Sequence, residues 1–342
     1  LSDLIGWVKW KTWQKAWRRP WTWGMAVISL GLLVWILWRA NLDQVSKALR
    51  SADYSLVVLG LPVILVGLIL RALRWRILLA PLGMSSFGAS FTSMMIGYLA
   101  NNLLPARAGE LVRAYVLSQR AGISKSANLA TIVVERVADG LVLVVALSTL
   151  LIVFPMPAWV HQVALVGSIV FVGAILILVT ARSGRQQMQG ILGRLLSTGP
   201  RQWKVRSISI GSNFLLGLTS FRGLFDVFAY LLLTVLAWST DVLLFWLVMQ
   251  AFGITLPVLA VILVMATGAL STSIPALPGY VGTYQFAIVS VLESLQVDAV
   301  PATAFALGVH GLVWLTVNTV GLLVLTQQGL SVGIIRVESD LT

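Results

Sequence analysis

The sequence predicts an all-α polytopic membrane protein: about six full spans plus two opposed re-entrant helical hairpins in an inverted-topology repeat, with interfacial amphipathic helices. Three observations predict it. The 342 residues are 58% hydrophobic and only 11% charged, with a mean hydropathy of +0.92, more apolar than a soluble domain requires. Several apolar runs approach the ~20 residues that cross a bilayer. Two related segments, Asn101–Glu110 and Ser271–Tyr280, each follow an apolar run and place Pro, Ala and Gly after small polar residues. Proline removes a helical donor and glycine frees the backbone, so Pro105 and Gly109, then Pro275, Pro278 and Gly279, mark structural breaks. Broken backbone at membrane depth survives only where protein or a water-filled cavity satisfies it, and paired breaks point to a transport site.

Residues 1–20 read as an interfacial amphipathic helix, because Trp7, Trp10, Trp13 and Trp17 recur at helical spacing among Lys9, Lys11, Lys15, Arg18 and Arg19. An orientation anchor is its plain role and lipid sensing its sharper one. The long charged lead, with no small-residue cleavage site before Arg39, marks a retained anchor rather than a signal peptide. Trp21–Trp38 spans, Arg39–Ser55 is a loop, and Leu56–Leu70 spans back to end in Arg71, Arg74 and Arg76. The first hairpin, 88–119, joins the broken segment Phe91–Leu104 to a short helix from Gly109 to Gln119. Asn128–Val153 spans, Pro155-Met156-Pro157 turns, and Val160–Thr180 returns. A basic linker, 181–225, has no acidic residue, and its Met188, Ile191, Leu192, Leu195 and Leu196 follow the period of a second interfacial helix. Leu231–Phe252 spans; the second hairpin, 256–294, pairs Leu256–Ile274 with Val281–Leu292; Ala302–Leu325 is the last span. Residues 21–330 thus form a single transmembrane domain, followed by a tail at 331–342.

The net charge of +12 gathers at the ends of apolar segments, which fits the positive-inside rule and anionic headgroups rather than nucleic acid. The rule puts the N-terminus, the 71–76 cluster, the 120–125 loop, the linker and the tail around Arg336 in the cytoplasm. Both termini are then cytoplasmic, and the expected location is a bacterial cytoplasmic (inner) membrane. The first hairpin enters and leaves on the cytoplasmic side. Three spans later the second enters from outside and returns there at Glu293. With no cysteine, disulfides and thiolate metal sites are excluded.

The stretch from Gly97 to Leu141 resembles the lysylphosphatidylglycerol synthase transmembrane, or flippase-like, family, which includes the flippase part of the bacterial multiple peptide resistance factor. The matching residues are Asn102, Leu104-Pro105, Arg107, Gly109-Glu110, Arg113-Ala114, and Glu135-Arg136 with Asp139. Pro275, Pro278, Gly279, Gly282 and Gln285 carry the C-terminal part of the pattern. Similarity extends from about residue 55 to 325. The resemblance implies a protein that moves or handles a lipid. Some members carry a soluble aminoacyl-transferase domain after the membrane part; none is expected in this sequence, so neither is lipid aminoacylation. Other members are associated with polyprenyl-linked sugars and hopanoids, so the resemblance leaves the lipid open.

Arg107, Glu110 and Arg113 recur every three residues, and Glu135 and Asp139 are four apart with Arg136 beside them. Charges at membrane depth cost about 2.5–3.5 kcal/mol each on insertion scales, so they must pair across the bundle or face a polar cavity. The expected pairs join Arg107 or Arg113 to Glu135 or Asp139. As a binding site, Arg107 and Arg113 with the amides at the Gly109 helix start would hold a phosphate. Glu110 would take a cationic group or a proton. As structure alone, the same residues are a salt-bridge cluster. In the second hairpin Ser271, Thr272, Ser273, Tyr280, Thr283, Tyr284 and Gln285 either complete a headgroup site or repair backbone around the break. His310 reads as a packing histidine or a proton site, and Asp226 and Asp241 as partners for linker arginines.

The expected substrate-binding set is Asn102, Arg107, Glu110, Arg113, Glu135, Arg136, Asp139, Ser273, Tyr280, Tyr284 and Gln285, with no catalytic residue. No Walker A loop or H-E-x-x-H motif occurs, and neither a cofactor nor a metal is expected. The function expected is a lipid flippase that moves a phospholipid or polyprenyl-phosphate-type lipid between leaflets by alternating access. Its partners are membrane lipids, anionic or phosphate-bearing. The alternatives are a membrane-embedded transferase acting on a lipid phosphate, with Glu110 or Glu135 as base, and a membrane scaffold or regulatory subunit.

Overall fold

An apolar chain with no water to satisfy its backbone closes its own hydrogen bonds as helix, and helix dominates the described residues. The computed structural model describes residues 20–83, 86–104, 108–183, 213, 217, 221–273 and 277–327. The helices are α1 (Pro20–Ala40), α2 (Leu42–Ser51), α3 (Tyr54–Leu79), α4 (Phe87–Leu103), α5 (Gly109–Ala121) and α6 (Lys125–Leu150). They continue as α7 (Ala158–Ser183), α8 (Leu224–Ala251), α9 (Val258–Ser271), α10 (Thr283–Ser294) and α11 (Ala299–Gln327). The expected N-terminal amphipathic helix, the interfacial helix of the linker, the 331–342 tail, Pro105, Arg107 and Pro275 lie outside the described residues.

Among the described residues, four helices are long and apolar enough to cross a membrane: Tyr54–Leu82, Ala158–Ile177, Leu224–Ala251 and Ala299–Gln327. Ala26–Ala40 and Leu42–Ser51 make a fifth if their bent pair counts as one. α6 has 26 residues but carries Glu135, Arg136 and Asp139 near its middle. By contrast α5, α9 and α10 have 13, 14 and 12 residues. At 1.5 Å per residue they reach about 18–21 Å, short of the ~30 Å hydrocarbon core.

Three boundaries differ from the sequence reading. The expected loop Arg39–Ser55 contains α2, bent 82° from the preceding helix. Asn41 turns the chain with a φ of 62°, and its side chain accepts from the Asp43 amide at 3.1 Å. Leu42, Val45 and Leu49 then form an apolar stripe, and Val45 is buried in a cluster with Ala40 and Ala304. α3 continues past Leu70 to Leu79, because Arg71 and Arg74 find carboxylates inside the bundle. They are helix residues rather than loop cations. α8 begins at Leu224, with Asp226 in its first turn, where a carboxylate suits the helix dipole.

The antiparallel pair α3 and α8 forms the axis. At one end the Asp53 amide donates to the Ala251 carbonyl at 3.0 Å; at the other the Arg222 guanidinium reaches the Ala80 carbonyl. Between them Gly60 faces Leu244 and Gly67 faces Thr240, and the missing side chains let the backbones approach. The remaining contacts fall into matched sets. α4 packs on α5 and α11, while α9 packs on α10 and α6; α5 packs on α6 as α10 packs on α11; α3 touches α4 as α8 touches α9. α7 leans on α6 and presents Leu165, Ile169 and Leu176 outward, an apolar face of the kind lipid covers.

The α4–α5 hairpin is the tightest of these seams. A Cβ at Gly97 would stand 2.7 Å from the Arg113 Cβ and 2.9 Å from the Gly109 carbonyl oxygen, and one at Gly109 would overlap the Gly97 carbonyl. Gly97→Val is therefore expected to cost about 1–3 kcal/mol by overpacking, read as a lower unfolding midpoint in detergent. Gly173→Ala, where a Cβ meets nothing within 4 Å, should change stability by no more than about 1 kcal/mol.

Candidate functional site

A polar side chain links the two helices that flank the first break. The Gly109 amide at the start of α5 donates to Asn101 Oδ1 at 2.8 Å, tying it to the end of α4. α6 then lies alongside and presents Glu135 and Asp139 on one face, as their spacing requires. Arg113 places both terminal nitrogens on Glu135, at 3.0 and 2.9 Å, and both residues are 1% exposed. The Arg113 guanidinium stacks 3.6 Å from the Trp75 ring centre, and the Trp75 N–H is held by Thr131 at 3.0 Å. Arg74 forks onto Asp139 at 2.5 and 2.9 Å and stands 3.7 Å from Glu135. Arg136 turns the other way and donates its Nε to Glu110 at 2.9 Å. Across the α3–α8 seam, Arg71 pairs with Asp241.

Four arginines thus meet four carboxylates, each in a direct ion pair. The expected Arg113–Glu135 pair forms. Asp139, expected to take Arg107 or Arg113, instead takes Arg74, because helical α3 brings that arginine against α6. Asp241 takes Arg71 rather than a linker arginine for the same reason, α3 running antiparallel to α8. Asp226 accepts from the backbone amide of Arg222 at 3.0 Å.

Above this buried layer lies a cavity of about 290 Å³. Its ionic wall is Arg71 on α3, Arg136 on α6 and Asp241 on α8. The first hairpin contributes Tyr98, Asn101 and Asn102; the second contributes Thr272, Tyr280 and Tyr284; α11 adds His310 and Trp314. Each hairpin is locked from behind. Asn102 donates to Asn318 Oδ1 at 3.2 Å. Gln285 Oε1 accepts from the Gly282 amide at 2.8 Å, while its nitrogen meets His310 Nδ1 at 2.6 Å. Gly282, at φ 92°, admits no side chain because a Cβ there would overlap the Ser29 carbonyl. Pro278, Gly279 and Tyr280 make a tight turn in which Gly279 and Tyr280 have φ of 72° and 60°. That conformation is strained for a tyrosine.

Of the expected set, Asn102, Arg136, Tyr280 and Tyr284 line the cavity. Glu110 stands behind Arg136; Arg113, Glu135 and Asp139 form the buried layer; Gln285 backs His310. Ser273 is exposed and does not line the cavity. Arg71, Tyr98, Asn101, Asp241 and Trp314 were not in that set. The one available signal was Asp241 itself, a carboxylate in the middle of an apolar 28-residue helix whose other acid, Asp226, lies in its first turn.

The family described as the lysylphosphatidylglycerol synthase TM region matches residues 21–321. The chain belongs to this family. It is an integral multi-pass membrane protein, as its apolar helices require. Over 338 aligned residues it is 27% identical to the glycosyltransferase AglD of Haloferax volcanii, covering 87% of this chain but 54% of that relative. A UPF0104 membrane protein of Methanothermobacter thermautotrophicus is 26% identical over 82% of this chain and 84% of its own length. Another, from Methanocaldococcus jannaschii, is 35% identical over 34% of this chain and 35% of its own. No solved structure matches.

Removing one partner of a buried ion pair strands the other, at a cost of about 3–5 kcal/mol. Glu135→Gln and Arg113→Gln are each expected to destabilise by that order. The exchange Arg113→Glu with Glu135→Arg should recover part of the loss in thermal unfolding, whereas independent losses that simply add would argue against the pair.

Proposed function

We propose that this protein is a lipid transporter that carries a phosphate-bearing headgroup through the cavity between its two hairpins while the lipid chains stay in the bilayer. The observation that carries the reading is the cavity itself, walled by residues of both hairpins and by Arg71 and Arg136. Arginine forks suit phosphate oxyanions. A volume of about 290 Å³ is of headgroup size, and in this reading the chains remain outside.

The hairpins are re-entrant and opposed in this reading, and α3–α6 and α8–α11 are inverted repeats. The short lengths of α5, α9 and α10 support re-entry, and the matched packing sets support the repeat. The pair Arg39–Glu293 at 3.1 Å supports a common face for the end of α1 and the return of the second hairpin. That face is external if the termini are cytoplasmic and the protein sits in the cytoplasmic membrane. Rocking of one repeat against the other then exposes the cavity to each leaflet. Asn102, Arg136, Tyr280 and Tyr284 touch the headgroup, and Glu110, Arg113, Glu135 and Asp139 hold the arginines in place.

A second reading is a membrane-embedded transferase acting on a lipid phosphate, favoured by the glycosyltransferase name of the Haloferax relative. The shared region is only 54% of that protein, so its activity need not reside there. Reconstitution separates the two. Vesicles containing the protein and fluorescent phosphatidylglycerol should show protein-dependent movement between leaflets with the lipid chemically unchanged; a new lipid species would identify the transferase. Loss of one charged hydrogen bond is worth about 1.5–3 kcal/mol, so Arg136→Gln should slow movement about 10–100-fold while the protein stays folded. An unchanged rate would remove Arg136 from the site.

A further inference from the structure

Arg71 and Asp241 meet at the cavity wall, with side chains 18% and 25% exposed. Asp241 engages Arg71 through Oδ2. Arg136, 35% exposed, also faces the cavity, and among the described residues it donates only through Nε, to Glu110. Tyr98 lines the same cavity as both guanidiniums. Two arginine forks and a phenol therefore look onto one space shaped for an oxyanion, and a carboxylate already occupies one fork.

The charge balance makes that carboxylate consequential. Arg71, Arg74, Arg113 and Arg136 are matched by Asp241, Asp139, Glu135 and Glu110. An entering phosphate oxyanion adds a negative charge to a set that is neutral among the described residues, inside a low-dielectric bundle, which is unfavourable unless another charge is cancelled. Asp241 cannot leave, because it sits mid-helix in the 28-residue α8. It can be neutralised in place.

Resting on the headgroup reading above, we infer that Asp241 is a proton carrier: the phosphate oxyanion takes the Arg71 fork, the displaced carboxylate accepts a proton, and the two cross together. The proton comes from water on the entry side, and the only bond made is O–H on the Asp241 carboxyl. On the far side the oxyanion departs, Asp241 returns its proton to water, and the Arg71 pair re-forms. One proton accompanies each negative charge, so transfer of a phosphodiester monoanion is electroneutral.

The groups around Asp241 fit this role. Arg71 and Arg74 face it from α3 and Asp139 from α6, with Tyr284 of α10 in electrostatic reach. Tyr98, Arg136, Tyr280 and His310 share its cavity, and α9 carries no titratable residue. Asp139 is held in the Arg74 fork. His310 is the rival carrier, but its Nδ1 is tied to Gln285 at 2.6 Å.

The test records both species at once. Phosphatidylcholine vesicles carrying the full chain, fluorescent phosphatidylglycerol in the outer leaflet and a luminal pH dye should acidify inside as the labelled lipid arrives. About one proton should enter per lipid, with a rate insensitive to membrane potential. In Asp241→Asn any remaining lipid movement should carry no proton, and His310→Gln should keep the ratio. Phosphatidylglycerol movement without acidification in the unaltered protein would overturn the coupling and leave the transport reading intact. So would a proton signal that survives Asp241→Asn, or one that disappears in His310→Gln while the lipid still moves. No movement of any phosphate lipid would overturn both. Acidification driven by inorganic phosphate in place of the lipid, and lost in Asp241→Asn while phosphate still enters, would support the coupling and assign it to the free anion.

Discussion

Charge neutrality inside an apolar bundle is the constraint on which the rest of this structure depends. Among the described residues, four arginines and four carboxylates sit within largely apolar helices, and each of these charges survives because an opposite one touches it. The pairs dictate the packing. Arg113–Glu135 joins the first hairpin to α6, Arg74–Asp139 joins α3 to α6, and Arg71–Asp241 joins α3 to α8. Buried ion pairs are weak sources of stability but strict about partners, which suits a bundle whose lipid-facing surfaces specify little.

Glycine and amide chemistry handle what the charges do not. Gly97 and Gly109 let α4 and α5 close on each other, and the Asn101 side chain takes the orphan amide where α5 begins. The second hairpin answers with Gly279, Gly282 and Gln285, neutral groups that shape a turn. The two hairpins are thus built alike and equipped differently. The first is braced against the ionic layer, and the second presents phenols and hydroxyls to the same cavity.

Much of this was legible in the sequence, and the part that was not has a common cause. Apolar run lengths and Pro-Gly breaks locate α3 to α11 to within a few residues at most of their ends, because helix in lipid is compulsory and prolines and glycines punctuate it. The cost of unpaired charge called for Arg107 or Arg113 to pair with Glu135 or Asp139, and of those pairings Arg113–Glu135 forms. The partners that Asp139 and Asp241 take were not legible, since Arg71 and Arg74 look like the basic end of a span under the positive-inside rule. Only the antiparallel packing of α3 on α8 and the approach of α6 reveal them as interior residues. Tyr98 and Trp314 were hidden for a related reason: aromatics in apolar helices look like core until a cavity is seen beside them. α2 was missed because a polar decapeptide between spans reads as loop when its single buried valine has no known neighbour.

In the proposed transport cycle the space between the hairpins receives a headgroup from both sides of the membrane. The chain has no cysteine, so a single Asn102→Cys places one thiol at the cavity wall without background. In oriented vesicles this thiol should react with a membrane-impermeant maleimide added to either face, and phosphatidylglycerol should slow the reaction more than phosphatidylcholine does. Reaction from one face only, unaffected by either lipid, would contradict the account.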